Sequence, residues 1–113
     1  MASNRRLGAV VLILPFLVSC EAWRLERAGR SKCEQGLDLV LRAKTAVERG
    51  GLQPEDRARV LSDLRKGSSL LREGMSLLAK AEERGRSSPD DINRYLEALK
   101  IARMKIPEFI DDP

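Results

Sequence analysis

Two periodicities run through the chain after residue 20: apolar residues stepped by three and four, and small residues stepped by seven. Between Leu7 and Val18 neither holds, because every position there is apolar or small. Leu61, Leu64, Ser68, Leu71, Met75 and Leu78 alternate the short and long step, which is the seam of a helix lying along another helix. Cys33, Leu37, Val40, Lys44 and Val47 follow the same rule, with Leu41 widening the stripe and Lys44 expected to snorkel at its edge. Ile92, Tyr95, Leu96, Leu99, Ala102 and Ile106 share one face of a third stretch. The pattern predicts an all-α fold with helices over about 21–49, 54–84 and 89–105. The first two would form a long antiparallel hairpin, and the shorter third would complete a small three-helix bundle.

Residues at the expected helix ends agree with this division. Pro54 and Pro89 suit first-turn positions, and each precedes an acidic pair, Glu55-Asp56 and Asp90-Asp91, that favours the positive end of a helix. Ser88 is the expected cap of the third helix. Gly50 and Gly85 follow Arg49 and Arg84, a basic last turn and a glycine stop. Pro107 is expected to end the third helix. Beyond it, Phe109 and Ile110 either fold back to close the bundle or form a short docking peptide.

The small residues add a statement about distance. Ala22, Gly29, Gly36, Ala43 and Gly50 are spaced by seven, and so are Gly67, Gly74 and Ala81. A glycine inside a helix costs about 1 kcal/mol relative to alanine, so glycines in register predict helices whose backbones approach closely.

Composition narrows the chemistry. Aromatic residues make up 4% of the chain, so the core must be built from Leu, Val, Ile, Ala and Met. There is no His, which removes the usual acid–base side chain near neutral pH and the commonest metal ligand. The net charge of +4 includes Arg5 and Arg6, which precede the apolar run. Without those two, 19 basic groups face 17 acidic ones, too small an excess for a nucleic-acid surface.

A short basic start, the uncharged run LGAVVLILPFLV and the small Ser19 before Cys20 form the layout of a secretory signal. As a helix the run would reach about 18 Å against about 30 Å of hydrocarbon, so it is too short to span a bilayer. Leu17-Val18-Ser19-Cys20 resembles the lipobox of bacterial lipoprotein precursors. The resemblance covers only the first twenty or so residues. It implies cleavage between Ser19 and Cys20, leaving a signal peptide of residues 1–19 and a lipid-anchored helical domain of residues 20–113. It also implies a diacylglyceryl group on the Cys20 sulfur and an acyl chain on the new amine, so that the membrane is the first partner. Several acyl chains hold a protein on a bilayer far more firmly than one. In the same class, an Asp after the cysteine retains the protein in the inner membrane. Glu21 at that position implies the outer membrane, facing the periplasm.

Little else in the sequence suggests reaction chemistry. No nucleotide loop, nucleophile–base pair or metal-ligand cluster stands out, and no catalytic residue, cofactor or metal is expected. With Cys20 acylated, Cys33 loses its obvious disulfide partner; it is either a buried thiol in the seam or an intermolecular disulfide joining a homodimer. An offset of 35 residues aligns Gly50, Pro54, Asp56, Arg59, Leu61 and Leu64 with Gly85, Pro89, Asp91, Arg94, Leu96 and Leu99. This period resembles tetratricopeptide repeats, although the aromatic and small positions of that family do not fall in place.

Two functions follow from these readings. The first is a non-enzymatic, lipid-anchored envelope protein that meets a protein partner as adaptor, accessory subunit or spacer. The second is a tetratricopeptide-like module that receives a peptide or small ligand in a groove lined by Arg94 and Tyr95, beside a separated third helix.

Overall fold

A computed structural model describes the backbone of residues 2–86 and 89–110 and the side chains of residues 20–86 and 89–109. Three helices follow one another: α1 (Ala2–Arg49), α2 (Pro54–Glu83) and α3 (Ile92–Ile110). They form the expected all-α bundle, a long antiparallel hairpin of α1 and α2 with α3 laid against both. The molecule measures 77 × 22 × 19 Å, and its long dimension follows from α1, whose 48 residues rise about 72 Å.

The start of α1 differs from the sequence expectation. The helix begins at Ala2, not near residue 21, and passes through Pro15 and Cys20 without a break. The seams describe where a helix has a partner, not where its hydrogen bonding begins.

The turns are built as the punctuation predicts. Gly50 and Gly51 both take positive φ, 69° and 66°, and the Gly50 amide donates to the Val47 carbonyl at 3.1 Å to close α1. Pro54 is the first residue of α2, and the amide of the preceding Gln53 donates to the Asp56 carboxylate. At the far end, Gly85 (φ 96°) donates to Glu82 and Arg86 donates to Ala81, the paired bonds of a Schellman stop.

α3 is displaced from its expected span at both ends. It starts at Ile92, with the Ile92 amide donating to Pro89 and the amides of Arg94 and Tyr95 to Asp91. The cap expected at Ser88 lies outside the described residues. At the other end Pro107 does not stop the helix, which runs on to Ile110. Proline removes one donor, but here only three more residues follow, and Phe109 packs against the core. The Arg57 guanidinium lies 4.8 Å from the centre of the Phe109 ring, tying the last turn of α3 to the first turns of α2.

The core joins residues of all three helices: Cys33, Leu37, Val40 and Ala43 of α1, Val60, Leu64, Leu71 and Leu78 of α2, and Tyr95, Ala98, Leu99 and Ala102 of α3. Two residues assigned to seams are on the outside instead. Leu41 and Leu96 are 41% and 47% exposed, because the buried face of each helix is narrower than the widest stripe the sequence allows. Ala98 takes an inner position of α3 in place of Leu96.

Candidate functional site

The close approach of α1 and α2 is set by contacts at glycine. The carbonyl of Gly74 lies 2.8 Å from where a Cβ on Gly29 would stand, and the carbonyl of Gly67 lies 2.7 Å from the same point on Gly36. The reverse contacts are as short: a Cβ on Gly74 would meet the Gly29 carbonyl at 2.6 Å and the Cys33 sulfur at 2.5 Å. Any side chain at these positions would have to push the helices apart. The stripes of small residues are therefore the contact itself, pairing Gly29 with Gly74 and Gly36 with Gly67. Ala22 and Ala81, each 1% exposed, continue the two stripes to the end of the hairpin.

That register brings the start of the described α1 side chains level with the α2 stop. The Glu21 carboxylate pairs with Arg84, and Glu26 is shared between Arg86 and, one turn along, Arg30. Cys20 is half-buried immediately before this clasp, with a free thiol. Ser19 lies outside the described side chains, though the helix runs through it. Trp23 stands one turn beyond Cys20, 48% exposed, with the Arg27 guanidinium 5.3 Å from its ring centre. The spacing alone could have marked Trp23, since positions three, four and seven residues apart share a helix face.

Cys33 occupies the opposite kind of environment. Its side chain is fully buried between α1 and α2, and the sulfur points to the Leu71 carbonyl at 3.9 Å. Burial, reinforced by the Glu34 carboxylate beside it, pushes its pKa up to about 11. The thiol is free, and a disulfide to a second chain at this position would require α1 and α2 to part.

Of the two residues expected to line a groove, Tyr95 is fully buried and donates its hydroxyl to Glu34 at 2.6 Å, joining α3 to α1. Burial first, and then this bond to a carboxylate, raises the Tyr95 pKa well above the usual phenol range. Arg94 is exposed and pairs with Asp91 in the turn just before α3. Tyr95 and Arg94 thus lie on different faces of α3, one in the core and the other in solvent.

Two shallow concavities among the described residues sit at the opposite end, around the α1–α2 turn. One of about 180 Å³ is bordered by Arg42, Ala46, Leu52, Asp56, Arg59 and Asp63. Another lies between the Gly50-Gly51 turn and Phe109. Among the described residues, no group of three or more acidic or cysteine side chains could hold a metal ion, and no helix is long and apolar enough to cross a membrane.

Comparison with known protein families, curated proteins and solved structures gives no match.

Proposed function

We propose that this chain is a small lipid-anchored protein of the bacterial cell envelope, held on the bilayer through Cys20 and acting by contact, without catalysis. The observation that carries the reading is Leu17-Val18-Ser19-Cys20 at the end of a short uncharged run, directly before Glu21 and Ala22, which the hairpin clasps and buries. Removal of residues 1–19 would leave the hairpin contacts of Glu21, Ala22 and Glu26 intact and make Cys20 the first residue of a helix already held by its partner. The Cys20 sulfur would carry the diacylglyceryl group and its amine a further acyl chain. Glu21 after the cysteine favours the outer membrane, facing the periplasm.

Within the envelope the molecule serves as adaptor, accessory subunit or spacer. A rigid hairpin about 45 Å long, from Cys20 to the Gly50 turn, suits holding a partner at a set distance from the membrane. The alternative, a repeat module with a ligand groove, has less support, since Tyr95 is spent on the core and on Glu34.

Mass spectrometry of the protein isolated from bacterial membranes tests the anchor. The expected product starts at Cys20 and carries the added mass of the acyl groups; an unmodified Cys20, or cleavage elsewhere, rejects it. Crosslinking in intact envelopes followed by identification of the joined protein then tests the adaptor role.

A further inference from the structure

The clasp at Glu21 has a consequence for how an anchored molecule stands. Glu21 pairs with Arg84 and Ala22 is already buried, so no flexible spacer separates Cys20 from the rigid bundle. Acyl chains on Cys20 would hold the adjoining end of the bundle at the lipid surface. On that end the chain's single tryptophan, Trp23, is left 48% exposed. It rises only about 4.5 Å above Cys20 along the helix and lies on the same face. Arg24 and Arg27 extend that face upward, Arg27 against the Trp23 ring, while Arg84 and Arg86, at the stop of α2, are held by Glu21 and Glu26.

We propose that this end is a bilayer-contact surface, with Trp23 seated in the phospholipid headgroup layer beside the Cys20 anchor and Arg24 and Arg27 facing lipid phosphates. The inference rests on the reading that Cys20 is acylated. The residue types match the occupant. Indole is amphipathic and favours the membrane–water interface over either bulk phase, and guanidinium groups meet phosphate oxygens with directed hydrogen bonds. Of the acidic groups at this end, Glu21 is engaged by Arg84 and Glu26 by Arg86 and Arg30, while Glu82 and Glu83 are exposed on the side of α2, away from the Cys20–Trp23 face of α1 that the proposal uses. The bundle is thereby fixed upright, with the Gly50-Gly51 turn and the Arg57–Phe109 contact at its far end, away from the lipid.

Because Trp23 is the only tryptophan, its fluorescence reports the contact without any substitution. The membrane-isolated, processed protein is reconstituted in phosphatidylethanolamine–phosphatidylglycerol vesicles containing lipids brominated either just below the ester linkage or near the chain ends. The expected result is emission shifted to shorter wavelength and roughly twofold quenching by the shallow bromine, with less by the deep one. Water-like, unquenched emission from protein whose mass confirms an acylated Cys20 would overturn the bilayer contact and leave the anchoring intact. Shifted emission that neither bromine quenches would mean that protein covers Trp23, and would overturn it equally. A mass lacking the acyl groups would overturn both readings.

Discussion

At the scale of single residues, the glycines decide how close two helices can come. Gly36 and Gly74 sit in helix interiors, where alanine is intrinsically favoured by about 1 kcal/mol. In this bundle the opposite sign is expected. A Cβ at Gly74 would fall 2.6 Å from the Gly29 carbonyl and 2.8 Å from the Cys33 amide nitrogen, and one at Gly36 would fall 2.7 Å from the Gly67 carbonyl. These are backbone atoms that cannot rotate away, so the helices must separate along the whole seam. Gly74→Ala and Gly36→Ala should each cost about 1–3 kcal/mol despite the propensity gain. Thermal unfolding checks this, and a raised midpoint in either variant would mean that the helices are not in contact there.

At the scale of elements, α3 departs from its sequence reading at both ends. Pro107 reads as a stop, yet the helix passes through it, because the cost of one missing donor is offset by Phe109 reaching the core and the Arg57 guanidinium. Replacing the proline should therefore stabilise the bundle without altering its shape. Pro107→Ala is expected to raise the unfolding free energy by about 1 kcal/mol, below the interior-helix value because the position is in the last turn. Phe109→Ala should lower it by a similar or larger amount. Circular dichroism melts of the two variants check both directions, and a fall in stability for Pro107→Ala would show that the proline ring itself is packed.

At the scale of the whole molecule, two buried acidic hydrogens couple stability to pH. Cys33 and Tyr95 are each neutral when protonated, and each has its pKa raised in the folded protein, Cys33 from 9.0 to about 11 and Tyr95 further still. Below pH 9 both keep their protons whether the chain is folded or not, so nothing changes. Above pH 9 the unfolded chain releases the Cys33 proton first, and the folded form, binding more protons, loses stability as the pH rises. The loss should reach on the order of 2 kcal/mol by about pH 11, with Tyr95 continuing it in the same direction. Unfolding midpoints measured from pH 7 to pH 11 should be flat and then fall, and Cys33→Ala should delay the fall. A midpoint that rose across that range would contradict the buried placement of both groups.

What could be read from the residues alone divides along physical lines. The periods of three, four and seven determine that helices form, that α1 and α2 pack along their length and that glycines mark the contact, because these follow from helix geometry. Gly50-Gly51, Pro54 and Gly85 likewise determine the turns through local backbone conformation. The Leu17-Val18-Ser19-Cys20 motif is local too and needs no fold to be seen. Other outcomes depended on partners distant in the chain. Leu41 and Leu96 are apolar at seam spacing, but only the position of the neighbouring helices leaves them in solvent while Ala98 goes inside. Tyr95 could line a groove or fill a core, and it fills the core because Glu34, 61 residues away, receives its hydroxyl. The clasp of Glu21 with Arg84 was equally hidden, since it exists only once antiparallel register has brought the two ends of the hairpin level. Local geometry is written in neighbouring residues, whereas burial and ion pairing are set by which surfaces the folded helices bring together.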